Sequence, residues 1–187
     1  HFISTLGIEE FYLALLPLVY WSVHKEAGRT FAYVFLVANL FNPLMKHGFR
    51  GPRPFWLDPA VEKAYESSYG VPSGHTQGAT ITYLFFATWL RRRWAWLVAF
   101  VMIVLMGLSR VYLGVHFVHD VLAGFGISVL VLLGYLVWQK RYMTSFSKRI
   151  LGQRLLTVVA VPVVLTAVYL IVRLIISEPD IRMPWAS

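Results

Sequence analysis

The chain alternates between long apolar runs and short polar connections, and this alternation constrains its fold more than any other feature. Six runs can be marked: Phe2 to Trp21, Phe31 to Met45, Thr76 to Leu90, Trp94 to Leu108, Phe117 to Trp138 and Leu155 to Ile176. An α-helix needs about 20 apolar residues to cross a bilayer, and inside hydrocarbon only a helix or a closed barrel satisfies its own backbone. All six runs are predicted to be membrane helices, which gives an all-α, polytopic bundle of about six transmembrane helices and a single domain over residues 1–187. The second, third and fourth runs are nearer 15 residues, so they are expected to extend into the polar segments beside them. Pro17 and Pro162 lie inside apolar runs and predict kinks more than ends. Gly-Pro-Arg-Pro at 51–54 predicts a helix stop and the start of an ordered loop.

Composition agrees with a membrane solvent, because 58% hydrophobic and 14% charged residues do not suit an ordinary soluble domain. The net charge of +8 is divided into short clusters between apolar runs instead of one basic stripe, so nucleic acid is not the expected partner. The absence of cysteine excludes disulfides and thiolate zinc sites. Basic loops are retained on the cytoplasmic side of a membrane. One set of connections carries Lys25 and Arg29, then Arg91, Arg92 and Arg93, then Lys140, Arg141, Lys148, Arg149 and Arg154, and is predicted to face the cytoplasm. The other set, from Lys46 to Pro72 and around Arg110, is predicted to face outward together with both termini.

Three polar clusters fall on that outward side: Lys46 to Pro54, Pro72 to His75, and Ser109 to Asp120. Ionisable groups at the ends of membrane helices are expensive and usually functional. Lys46 and Arg53 lie seven positions apart across a glycine-containing turn, and Arg110 arrives from another helix. Three converging cations call for a multiply charged anion such as a phosphate monoester or pyrophosphate, which an arginine fork can grip through two oxygens. Snorkelling at the interface would account for any one of them alone. Pro72-Ser73-Gly74-His75 opens the third apolar run, so its backbone N–H groups are expected to face an anion from a helix N-terminus. The Ser73 hydroxyl can donate to the same anion or act as an ordinary helix cap, and Gly74 permits close backbone approach.

His116 and Asp120 are four residues apart at the start of the fifth run, on one helix face. A carboxylate accepting from one imidazole nitrogen fixes the tautomer and leaves the other nitrogen free to attack phosphorus. His116 is therefore the expected nucleophile, with His75 as general acid toward the leaving oxygen and then base toward water. His116, His119 and Asp120 also admit a reading as metal ligands, but the site's cations can do the electrostatic work of a metal, so neither metal nor cofactor is expected. His24 and His47 have no partner at a suggestive spacing.

These residues resemble the type-2 phosphatidic acid phosphatase superfamily. Its pattern is Lys, six residues, Arg-Pro; then Pro-Ser-Gly-His; then Ser-Arg, five residues, His, three residues, Asp. Here it reads Lys46 to Arg53-Pro54, Pro72-Ser73-Gly74-His75, and Ser109-Arg110 to His116 to Asp120. The resemblance implies a metal-independent lipid phosphatase with the helical core shared by vanadium haloperoxidases and glucose-6-phosphatases. It implies catalytic roles for His116, Asp120 and His75, and a phosphate cradle of Lys46, Arg53, Ser73, Gly74 and Arg110. Phosphatidic acid, phosphatidylglycerol phosphate, undecaprenyl pyrophosphate, lipid A phosphates and sphingoid phosphates all remain open as substrates. A phosphatase for a soluble ester such as a sugar phosphate and a non-catalytic phosphate-binding protein are the rival readings. With the charge bias, the resemblance implies an integral protein of a bacterial inner (cytoplasmic) membrane whose site faces the non-cytoplasmic side. Many bacterial members have three helices before the first signature where this sequence shows two; either a helix precedes this sequence or the chain resembles the subset with an outward N-terminus.

Overall fold

The computed structural model describes residues 9–175, and every regular element among them is helical. Helix α1 (Glu9–Leu18) passes directly into a π-helical turn, Val19–Val23. It is followed by α2 (Lys25–Phe49), the short α3 (Pro54–Leu57), a 3-10 turn at Pro59–Val61, α4 (Gly74–Leu90), α5 (Arg93–Tyr112), α6 (Val118–Ser147) and α7 (Leu151–Ile175). Each of the six apolar runs is thus helical where it is described. The first part of the first run and Ile176 lie outside the described residues.

The helix ends differ from the predicted ones in informative ways. The second and fourth runs extend as expected, to 25 and 20 residues. The third gains only Gly74 and His75 and stops at 17 residues, or about 25 Å of helix at 1.5 Å per residue. It tolerates this length because it is the interior helix: Thr76 to Thr82, Phe85 and Ala87 are all buried, so the neighbouring chain replaces lipid around its ends. The fifth run continues past Trp138, so Lys140 and Arg141, predicted as loop, lie within α6. No proline or glycine interrupts residues 135–147, and nothing there stops helix propagation. Pro17 precedes the π turn, whereas Pro43 and Pro162 sit inside unbroken helices.

By length and apolarity alone, α5, the Val118–Phe146 stretch of α6, and α7 can cross a membrane. Helix α2 is long enough but carries Arg29, Asn39, Asn42, Lys46 and His47 along its length. Helices α5, α6 and α7 are the membrane-spanning candidates among the described residues.

Helix α4 packs against α2, α5 and α6. Tyr12, Phe31, Val34, Phe35, Ala38, Ile81, Phe85 and Leu132 form one core among α1, α2, α4 and α6. Ala87, Ala95, Ala99 and Ile103 form a small-residue seam between α4 and α5. A buried polar link sits between these layers and the site. Asn42 Nδ2 donates to Gln77 Oε1 at 2.9 Å and to the Pro72 carbonyl at 3.3 Å, while Gln77 Nε2 donates to the Ala38 carbonyl. The Ser128 hydroxyl lies 2.9 Å from the Gln77 carbonyl and 3.0 Å from that of Gly124. Leaving any of these groups unpaired inside the bundle costs more than the bond itself contributes, so the link fixes how α2, α4 and α6 meet.

Gly124 sets the separation of α6 from α4. A Cβ there would stand 2.6 Å from the Ser73 carbonyl and 3.4 Å from the Gln77 nitrogen, both backbone atoms. Gly126, one position past the intervening Phe125, has open space at the same point. Gly124→Ala is expected to cost about 1–3 kcal/mol through overpacking and to lower the thermal midpoint in detergent, whereas Gly126→Ala should be neutral or raise it. Equal effects of the two substitutions would show that the α4–α6 approach is not set at Gly124.

Candidate active site

The predicted site residues come from four segments, and the fold gathers them at one end of the bundle. Lys46 lies in the last turn of α2, which stops because Arg50 adopts a left-handed conformation and its N–H bonds the Lys46 carbonyl. Arg53 is the N-cap of α3, with Pro54 as the first helical residue. Ser73 caps α4, with Gly74 and His75 as its first residues. Arg110 lies in the last turn of α5, and a turn through Gly114, whose φ of +70° suits glycine, delivers His116 just ahead of α6.

Asp120, in the first turn of α6, is fully buried and joins two of these pieces. Its Oδ2 lies 3.3 Å from His116 Nδ1 and accepts the Phe117 N–H at 2.9 Å. Its carbonyl accepts the Ser73 N–H at 3.0 Å. That last bond corrects one expectation: the Ser73 N–H already has a protein partner and does not face an anion. The Ser73 hydroxyl accepts from Thr76 N at 3.4 Å and Thr76 Oγ1 at 3.1 Å, so it does cap the helix, and its own proton remains to be donated.

Arg53 is fully buried and held on every side. Its Nε donates to the Ser68 carbonyl, Nη1 to the Val115 carbonyl at 2.8 Å, and Nη2 to Ser68 Oγ at 3.1 Å and the Tyr69 carbonyl at 3.2 Å. Nη1 also stands 3.4 Å from His116 Nε2. Guanidinium can only donate, so this contact assigns the lone pair to Nε2 and the proton to Nδ1, facing Asp120. Burial lowers the His116 pKa; the Asp120 hydrogen bond opposes that shift without reversing it, and the imidazole is neutral at pH 7. Lys46 Nζ reaches Ser68 Oγ at 2.8 Å.

Sequence reasoning missed Glu66. Its Oε2 pairs with Arg53 Nη2 at 2.7 Å and lies 3.7 Å from His116 Nε2, while its Oε1 lies 3.5 Å from Arg110 Nη1 and 3.7 Å from His75 Nδ1. Burial pushes the Glu66 carboxyl up, but Arg53, His116, His75 and Lys46 together hold it below the usual carboxylate range. The only hint in the sequence was a carboxylate inside a loop otherwise rich in site cations.

His119 stands apart. It is mostly exposed, stacks on Phe117 at 5.3 Å, and places Nε2 3.0 Å from Asp120 Oδ1 without hydrogen-bond geometry. Among the described residues no group of three His, Cys, Asp or Glu side chains is disposed to hold a metal ion. His24 caps α2 by accepting from Ala27 N at 3.2 Å and packs on Trp89. His47 packs between Tyr69 of the loop and Tyr169 of α7.

An all-helical bundle with membrane-length apolar helices, and with two histidines around one carboxylate, a buried aspartate and three cations at one end, has the make-up of an integral membrane phosphatase. Within that class the chain belongs to the PAP2 superfamily, whose family model matches residues 27–144. It is 34% identical over 141 residues to phosphatidylglycerophosphatase B of Bacillus subtilis (strain 168), covering 68% of each chain. It is 33% identical over 146 residues to sphingosine-1-phosphate phosphatase 2 of Mus musculus, covering 73% of this chain and 41% of that protein. The chain thus spans about two thirds of the bacterial relative and two fifths of the mouse one. Its fold matches the crystal structure of a PAP2 type phosphatidylglycerolphosphate phosphatase from Bacillus subtilis with a TM-score of 0.62 and 29% identity, over 74% of both chains.

Arg53→Lys keeps the charge but removes the fork that meets Ser68, Tyr69, Val115 and Glu66 together. It is expected to reduce turnover by about 10²–10³-fold, as loss of a preorganised charge donor does, measured as phosphate release in detergent. Turnover within a few-fold of the parent would show that charge alone suffices at this position.

Proposed function

We propose that this protein is a lipid phosphatase that removes a phosphate monoester or terminal pyrophosphate through a phosphohistidine, without a metal ion. The observation that carries this reading is the His116–Asp120 pair, which leaves Nε2 with its lone pair directed toward Arg53 and the Glu66 carboxylate. A phosphoryl group held there by Arg53, Arg110 and Lys46, and by the Ser73 hydroxyl and the Gly74 backbone at the start of α4, presents phosphorus to that nitrogen.

In the first step His116 Nε2 bonds to phosphorus as the bond to the lipid oxygen breaks, and His75, which takes up a proton as the phosphate dianion enters beside it, gives that proton to the departing alkoxide or phosphate. Asp120 stabilises the positive imidazole by keeping the Nδ1 proton. In the second step His75 takes a proton from water, whose oxygen displaces His116 and releases inorganic phosphate. The cations supply the charge stabilisation that phosphoryl transfer requires.

A lipid substrate is supported by the apolar character of the whole chain, by the short connection from Lys46 to Pro72, and by the lipid phosphates for which the bacterial and mouse relatives are named. The charge bias supports a site on the non-cytoplasmic side, because the connections that carry Lys25 and Arg29, Arg91 to Arg93, and Lys140 to Arg154 lie at the helix ends opposite Lys46, Ser73, Arg110 and Asp120.

His116→Ala is expected to abolish both turnover and acid-labile incorporation of phosphate from a radiolabelled lipid substrate; substantial turnover in that variant would overturn the nucleophile assignment. Chelation by EDTA should leave turnover intact, and a loss restored by adding a divalent ion would favour a metal mechanism instead. A phosphate-release panel of phosphatidic acid, phosphatidylglycerol phosphate, undecaprenyl pyrophosphate, a lipid A phosphate and glucose 6-phosphate tests substrate class. Preference for the sugar phosphate would overturn the lipid reading.

A further inference from the structure

The most unusual occupant of the site is Glu66. Its two carboxylate oxygens reach Arg53, Arg110, His75 and His116 at 2.7 to 3.7 Å, the four groups that the phosphate reading assigns to substrate. To a guanidinium, a carboxylate and one edge of a phosphate look alike, since each offers two anionic oxygens on one centre. We propose that Glu66 is a tethered internal competitor for the phosphate site, holding the anion position in the ligand-free enzyme and withdrawing when a substrate phosphate binds. This inference rests on the phosphate-site reading above.

Three features support it. First, the cations need an anion. Arg53 and Arg110 are buried close to one another with the half-buried Lys46 beside Arg53 at Ser68, and an unoccupied site would leave these charges facing one another. Glu66 is ionised at neutral pH and supplies the compensating charge. Second, the carboxylate has somewhere to go. Its side chain keeps 22% exposure, whereas those of Arg53, Arg110 and His116 keep 0–2%. Third, withdrawal leaves the cradle intact. Glu66 lies in an irregular segment, and the groups that anchor Arg53 are other than its carboxylate: the Ser68 carbonyl and hydroxyl, the Tyr69 carbonyl and the Val115 carbonyl. A change of Glu66 rotamer does not disturb them.

The consequence is a threshold for occupancy. An internal occupant lowers the apparent affinity of every external ligand by the same factor, the fraction of time that the site stands open. That factor matters most for weak ligands at high concentration. The headgroups of ordinary membrane phospholipids are phosphodiesters carrying one negative charge on phosphate, and they surround an enzyme of this kind in great excess. Against three cations they hold no charge advantage over a carboxylate of equal charge already in place. A phosphate monoester dianion or a pyrophosphate has that advantage and displaces it. Glu66 in this sense sets an occupancy threshold: it keeps singly charged headgroups from filling the resting site, while the preference for the dianion comes from the three cations.

The competing explanation makes Glu66 a support that orients Arg53, and it predicts the opposite sign: removing the carboxylate would weaken anion binding. Binding of inorganic phosphate to the full chain in detergent micelles, followed by calorimetry, separates the two without depending on turnover. Glu66→Gln and Glu66→Ala are both made and their thermal midpoints recorded first, because one folded variant is enough to read the sign. The expected result is phosphate binding about tenfold tighter than in the parent, with short-chain phosphatidylglycerol gaining inhibition of lipid phosphate hydrolysis by a similar factor. Phosphate binding in the parent that is unchanged or weakened in the variants overturns the role of Glu66 alone. Absence of phosphate binding in parent and variants alike overturns the phosphate-site reading and this inference with it.

Discussion

Asp120 holds the rest of the site in register. Its side chain fixes His116 and the Phe117 backbone, and its own carbonyl takes the Ser73 N–H, so one fully buried residue links the imidazole to the helix end that carries Ser73, Gly74 and His75. In a low-dielectric interior such a network is strong when complete and costly when broken. The close approach it needs is possible only because Gly124, one turn further along α6, presents no side chain to the Ser73 carbonyl. The chemistry of one helix and the packing of two are therefore a single constraint.

Around that anchor the cations are arranged as fixed charges. Arg53 gives its fork to the backbone carbonyls of Ser68, Tyr69 and Val115, which hold it in place before any ligand arrives. Preorganisation of this kind removes the reorganisation that water would require around a developing phosphoryl charge. The loop between α2 and α4 thus does two jobs: its backbone holds the arginine, and its half-buried carboxylate, Glu66, balances it.

Much of this was legible in the sequence because it depends on short spacing. The four-residue step from His116 to Asp120 and the Pro-Ser-Gly-His helix start are local patterns, and the structure draws their side chains together. The six helices followed from apolar runs that nothing interrupts. What the sequence did not reveal depends on contacts between distant segments. Ser73 spends its N–H on Asp120, 47 positions away, a bond that no local pattern encodes. Glu66 lay in a loop with no periodicity, and its importance comes from four partners on three other segments. The brevity of α4 was hidden for a similar reason, since an interior helix is measured against its neighbours and not against the bilayer. The length of α6 was misjudged because a basic cluster was read as a loop, although charged residues with good helix propensity continue a helix unless something stops it.

Helix α7 has a different standing from the others. None of its described residues is buried, it rests mainly on α2, and one of its ring contacts is Tyr169 against His47. It also lies beyond residue 144, where the match to the family ends. The bonds that join Asp120, Ser73, His116 and Arg53 are all made without it. Its apolar side chains are exposed in the protein alone and are therefore left for lipid, so α7 widens the membrane-facing surface without holding any part of the site.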